Sequence, residues 1–195
     1  MNFPFEKEII LEDSVAILRP LQSGDLADLL GVASEDKQLL QFSQMPVYTE
    51  DLLKTYIEKA VGDRQNKVRY PFTIFSKTKN LYAGSTSFLN ISNPDDRLEI
   101  GATWIGNGFQ KTGLNRSCKY LLLDFAFGNL GAERVEFRTD ERNMKSRTAI
   151  EKIGGQFEGV LRNHMLMQDG YRRNTVCYSI LKDEWTDLKP GFLKK

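Results

Sequence analysis

Apolar residues along the chain switch between two periods, and the switches mark the elements. Val15 to Leu21 reads as a strand ended by Pro20, and Ser23 then offers a cap to a helix carrying Leu26, Leu29, Leu30 and Ala33 at helical spacing. A second helix follows a loop: Thr49 caps it, Glu50 and Asp51 suit its positive end, and Leu53, Tyr56, Ile57, Ala60 and Val61 share one face. The middle alternates. Tyr70 to Ser76, Leu81 to Ile91 and Arg97 to Ile105 are separated by Lys77-Thr78-Lys79-Asn80 and Ser92-Asn93-Pro94-Asp95-Asp96, turn chemistry that predicts an antiparallel meander. Leu114 to Leu130 returns to helical spacing through Leu114, Cys118, Leu121, Leu122, Phe125 and Ala126, and Gly131 closes it. Arg134 to Thr139 is a short strand, and Met144 to Ile153 a helix between Asn143 and Gly154-Gly155. Phe157 to Met167 and Tyr171 to Leu181 flank Asp169-Gly170, a strong hairpin signal. The order β-α-α-β-β-β-α-β-α-β-β describes an α/β chain, mixed α+β, with a mixed sheet.

Composition narrows the function. The 195 residues suit one domain, and no repeat, low-complexity stretch or Pro/Gly/Ser-rich linker divides them. Lys plus Arg is 27 against 26 for Asp plus Glu, so the net charge of +1 lacks the field that drives non-specific nucleic-acid binding. Cys118 and Cys177 lie in apolar stretches and form no CxxC pair, and His164 is the one histidine, so neither a zinc nor any other metal site is expected. Glu6, Lys7 and Glu8 interrupt the start, where a signal peptide has an apolar run, and no stretch approaches the length of a membrane span. A cytoplasmic protein without a membrane partner is expected.

The junction Trp104-Ile105-Gly106-Asn107-Gly108-Phe109-Gln110-Lys111-Thr112-Gly113-Leu114 runs from a strand through a glycine-rich loop into an apolar helix. The first amides of a helix have no internal acceptors and carry the positive end of its dipole, so such a junction can hold phosphate. Lys111 and Arg116 add charge. The spacing is neither GxxxxGK[ST] nor the full dinucleotide fingerprint, and a loop that merely turns the chain explains the glycines as well.

Gln110-Lys111-Thr112-Gly113 resembles the start of the Q/R-x-x-G-x-G/A motif of the GNAT superfamily of N-acetyltransferases, whose loop holds the pyrophosphate of acetyl-CoA. Leu98-Glu99-Ile100-Gly101 is similar to the strand before that loop. Asn143-Met144-Lys145-Ser146 with Glu151-Lys152-Ile153-Gly154 resembles the N-x-x-S…E-K-x-G stretch of the RimJ/RimL-type branch. Glu158 to Arg162, Asp169-Gly170 and Tyr178 to Leu181 with Glu184-Trp185 continue the likeness, which covers Ala16 to Trp185. It implies a single GNAT-like domain over 1–195, its core about residues 15–185, with a mixed, mostly antiparallel twisted sheet of about seven strands flanked by four helices. Two positions depart from the pattern. Asn115 stands where Gly or Ala is usual, and Ile150 where many members place a tyrosine that protonates the leaving thiolate.

The resemblance implies direct attack of a primary amine on the thioester of acetyl-CoA, without a metal. The acceptor is then a protein N-terminus, a polyamine, an antibiotic or another small amine. The ammonium must lose a proton, the oxyanion needs donors and the thiolate benefits from an acid, with acid–base help typically giving about 10²–10⁴-fold. Glu99 is the candidate base, directly or through water, against the plain reading of a strand glutamate in solvent. Ser146 is the candidate donor near sulfur, although a serine in a first helical turn also serves as a cap. Trp104 and Ile105 would offer backbone amides, Gln110, Lys111, Thr112, Gly113, Leu114 and Asn115 the loop contacts, and Asn143 both its amide groups to the pantetheine. Lys145 and Arg147 face either the terminal phosphate or solvent. His164 is a conceivable relay, and Phe42, Tyr48, Phe72 and Phe88 either line the acceptor pocket or fill the core. A catalytically weak acyl-CoA-binding scaffold is the alternative function, and a monomer and a homodimer are both compatible.

Overall fold

The computed structural model describes residues 1–193. Its strands are β1 (Leu11–Glu12), β2 (Ala16–Pro20), β3 (Tyr70–Ser76), β4 (Leu81–Ser92), β5 (Arg97–Ile105), β6 (Arg134–Asp140), β7 (Gln156–Leu166) and β8 (Arg172–Leu181). Its helices are α1 (Leu26–Ser34), α2 (Glu50–Gln65), α3 (Leu114–Asp124), α4 (Met144–Lys152) and α5 (Lys182–Leu193). All eight strands form one open sheet in the order β1-β2-β3-β4-β5-β6-β8-β7. Each neighbouring pair is antiparallel except β5 and β6, which α3 connects as a crossover.

The expected elements fall close to their places, and two more appear. Strand β1 has two residues, too few to display a period, and pairs with β2 through Leu11 and Glu12. Helix α5 follows β8 directly and packs Trp185, Leu188 and Phe192 toward the core, with Trp185 stacked on Phe127. The apolar alternation of β8 simply ends where α5 begins, with no turn residue to announce it. Ser23 does not cap α1: it opens a single tight turn, Ser23–Asp25. Asp25 holds that turn, accepting from the Gln22 amide at 3.0 Å and from both Arg19 Nη atoms at 3.0 and 2.7 Å. Thr49 does cap α2, its hydroxyl accepting from the Leu52 amide. After α3 the chain widens into one turn of i→i+5 bonds, Phe125–Asn129, and Gly131 ends it at φ +69°.

The two faces of the sheet are covered differently. On one, α1 and α2 lie over β3 and β4, where Arg69 bridges Ser87 (2.7 Å) and the Tyr56 hydroxyl (2.6 Å) of α2. On the other lies α3, anchored by Ser117 to Asp13, whose other oxygen holds the turn after β1. Phe72 and Phe88 are fully buried and belong to the core, not to an acceptor pocket.

Two bulges lie between β4 and β5. On β4, Asn90 stands at φ +47° where Leu89 pairs with Glu99 and Ser92 with Arg97. On β5, Ala102 stands at φ +47° between the pairs Ser87–Gly101 and Ser85–Trp104. An extra residue turns a strand away from its former partner. The parallel pairing of β5 with β6 accordingly runs only from Arg97–Arg134 to Glu99–Glu136. Beyond it, β5 pairs with β4 and β6 with β8, and the two strands part.

Candidate active site

The parting strands leave a cleft whose walls are the unpaired edges of β5 and β6 and whose mouth is the loop before α3. Buried backbone groups require partners, so an unpaired pair of edges inside a sheet is suited to an extended ligand bearing amides. Trp104 and Ile105 differ here. The Trp104 carbonyl lies against Gly84 of β4, whereas the Ile105 carbonyl accepts from Gln110 Nε2 at 3.1 Å on the loop side. Alternation along the strand then turns the Trp104 amide toward β4 and the Ile105 amide toward the cleft, so only Ile105 of the expected pair offers backbone there.

At the mouth the loop is built to present amides. Gly113, at φ +87°, is the residue before α3, and no side chain caps the helix. Among the described residues none of the amides from Lys111 to Arg116 donates to a protein acceptor, which leaves a row of donors at the positive end of α3. Side-chain hydrogen bonds hold the loop. Gln110 is tied to Ile105 and to Asn107 Oδ1 (2.9 Å), Thr112 to the Phe109 carbonyl (2.7 Å), and Lys79 of the β3–β4 turn donates to the Gly108 carbonyl at 2.7 Å. Lys111 is exposed and left-handed at φ +61°, Leu114 is buried and Asn115 half-buried. Arg116 turns away to the Gly191 carbonyl and the Phe192 ring of α5, so it adds nothing at the mouth.

Glu99 lies at the last pair before the strands part, and it is buried, only 5% exposed. The solvent-facing reading therefore does not hold. Burial pushes its carboxyl above the usual range, against the Asn90 amide donating to Oε2 at 2.7 Å and the Arg138 guanidinium at 3.4 Å. Asn90 and Arg138 escaped the sequence reading because one sits in a bulge and the other on a strand whose register is set elsewhere. Asn90→Ala is expected to raise the Glu99 pKa further, as read by NMR titration of the glutamate side-chain carbons.

Helix α4 lies beyond β6. Asn143 is its cap: its Oδ1 accepts from the Ser146 amide at 3.1 Å, and its NH₂ donates to no protein acceptor among the described residues. Ser146 is half-buried in the first turn. Arg147 donates to the Tyr178 hydroxyl (3.1 Å) and the Glu141 carbonyl (3.3 Å), while Lys145 is exposed. Ile150 is buried. His164 is exposed and meets Thr175 at 3.0 Å.

A second opening lies between the α1–α2 loop and the β7–β8 hairpin, where Lys37, Leu40, Tyr48, Met167 and Gln168 form a shallow depression. Gln44 joins the two, donating to the Leu166 carbonyl at 2.9 Å and accepting from Gln168.

A sheet split beside a helix that presents free amides is suited to an extended ligand with an anionic group. The Acetyltransferase (GNAT) domain matches residues 16–156, and the chain belongs to this GNAT family of N-acetyltransferases. It is 28% identical over 182 residues to YdaF of Bacillus subtilis (strain 168), provisionally named a ribosomal N-acetyltransferase, covering 90% of this chain and 94% of YdaF. A GCN5-related N-acetyltransferase from Brucella melitensis superposes with a TM-score of 0.90 at 25% identity, over 97% of this chain and 86% of that one. A structure from T. thermophilus, provisionally called an acetyltransferase, gives 0.87 at 32% identity over 99% of this chain and 97% of that one.

Proposed function

We propose that this chain, a single domain of RimJ/RimL-like type, transfers acetyl from acetyl-CoA to a primary amine, either a protein N-terminus or a small-molecule amine, in the cytoplasm. The reading rests on one juxtaposition: the free amides of Lys111 to Arg116 open onto the unpaired edges of β5 and β6, and a buried carboxylate stands where those edges begin.

Acetyl-CoA, when bound, supplies the activated acetyl thioester. The amides before and in the first turn of α3 would hold its pyrophosphate, with exposed Lys111 adding charge. The Ile105 amide and the Asn143 NH₂ would meet the amides of its pantetheine. Glu99 would take the proton of the attacking ammonium, directly or through water, and burial suits it to that task because it raises the carboxylate's basicity. The depression beside Tyr48 and Met167 is the entrance we assign to the amine.

Isothermal titration with acetyl-CoA tests the reading before any acceptor is known. A micromolar constant, about −8 kcal/mol, is expected, weakened at least about tenfold, or about 1.4 kcal/mol, by Lys111→Glu or by Gly113→Val. Absence of binding to folded protein excludes the enzyme reading. Ile150, which leaves the tyrosine position apolar, favours the scaffold alternative; micromolar binding with no release of CoA thiol across amine and peptide panels would select it.

A further inference from the structure

Lys119 points from α3 into the space where β5 and β6 part. Its Nζ donates to Thr103 Oγ1 of β5 at 2.9 Å and lies 5.9 Å from the centre of the Phe137 ring of β6. Thr103 lies beyond the paired stretch of β5, and Phe137 directly follows the last paired residue of β6. The ammonium thus spans the gap from below, four residues and one helical turn beyond Asn115 at the mouth. It is 7% exposed and has no carboxylate within ion-pair distance among the described residues.

A lysine buried without an acidic partner destabilises the fold, and an apolar side chain of the same length would pack there at no such cost. Thr103 cannot offset the charge: its hydroxyl is also shared with Thr86 at 2.8 Å. What the position lacks is an anion, and a thiolate arising in the cleft is one. Neither flank offers another acid: Ile150 is apolar, and Ser146 carries a hydroxyl that is a poor acid.

We propose that Lys119 is the proton donor to the CoA sulfur as the thioester breaks, an assignment that rests on the acetyl-CoA reading of this cleft. The ammonium first loses a proton through Glu99 to solvent; the amine nitrogen then forms the C–N bond, the C–S bond breaks with its electron pair on sulfur, and one proton passes from Nζ to that sulfur. The nitrogen's second proton leaves to solvent as the amide forms, and Nζ regains a proton from solvent. Burial lowers the Lys119 pKa to about 8, close to the range of an ordinary thiol. The titratable group beside it is Cys118 of its own helix, whose thiol burial pushes up to about 12 and so keeps neutral; Thr103 and Phe137, which meet it from β5 and β6, are uncharged.

The test uses CoA itself and needs no acceptor. The thiol of CoA bound to the protein is titrated by its ultraviolet thiolate band, in the wild type and in Lys119→Met, with desulfo-CoA as the blank. A cation within a few ångströms is expected to lower the bound thiol's pKa by about 1–3 pH units from that of free CoA, and Lys119→Met to abolish the lowering while still binding. Equal thiol pKa values in the two proteins overturn the assignment. So does a wild-type value no lower than that of free CoA, which decides the matter even if the variant does not fold. Failure of the wild type to bind CoA at all removes the cofactor reading with it, whereas binding without a sulfur effect removes Lys119 alone.

Discussion

Glu99→Gln is expected to lower the rate of acetyl transfer to an accepted amine by about 10²-fold or more, with acetyl-CoA affinity unchanged. The substitution keeps the shape of the side chain and an oxygen for the Asn90 amide, and removes only the capacity to take a proton. The pH dependence follows from burial. A carboxyl raised above its usual range must still be ionised to act as a base, so wild-type kcat/KM falls as pH drops through that raised value. The residual rate of the variant lacks this limb. Stability moves the other way. A pKa higher in the folded than in the unfolded state stabilises the fold fully below the ordinary carboxylate value, and that contribution is lost as pH rises through the raised one. At neutral pH and above, Glu99→Gln is therefore expected to melt no lower than the wild type. An unchanged rate with a verified acceptor removes Glu99 from the mechanism; a lost rate with a lowered melting temperature assigns it to structure.

What could be read from the chain and what could not follows the range of the interactions. Strands β3, β4 and β5 and the hairpin of β7 with β8 announce themselves because turn residues and alternation are local. Helices α2 and α3 do so because their apolar stripes and caps are local too. The parting of β5 from β6 is not legible: both strands keep their alternation through it, and the bulge at Ala102 has no signature in an alanine. Glu99 was visible as a carboxylate ahead of a glycine loop, but its burial and its Asn90 and Arg138 partners depend on register across three strands. Lys119 had a signal that went unread. It lies on the face of α3 that also carries Cys118 and Leu122, both buried, and a charge among apolar residues is worth questioning. Asn143 and Arg147 carry protein contacts that their motif positions do not announce: the Asn143 carbonyl caps α4, and the Arg147 guanidinium donates to the Tyr178 hydroxyl.

Gly84→Ala is expected to be the most damaging single methyl in the cleft's frame. Gly84 sits at φ +150°, and a Cβ built there lies 2.0 Å from the Trp104 carbonyl oxygen and 3.1 Å from the Ile105 Cα. Both are backbone, so neither can swing aside as a side chain would. The conformation costs about 1–3 kcal/mol for a residue with a Cβ, and the crowding about as much again. For a chain of this size that lowers the melting temperature by roughly 10 °C. The displacement falls on the segment that leads into the loop before α3, because Gly106 donates to the Ala83 carbonyl at 2.9 Å and Gln110 is tied to Ile105. Acetyl-CoA affinity is therefore expected to drop together with stability. Gly108→Ala is the control: its Cβ meets nothing nearer than Lys79 Nζ at 4.0 Å, so both quantities are expected to stay near wild type. Calorimetric melting and acetyl-CoA titration of the two variants separate the outcomes, and a Gly84→Ala protein melting within about 2 °C of wild type contradicts the close approach of β4 and β5 on which the cleft's geometry depends.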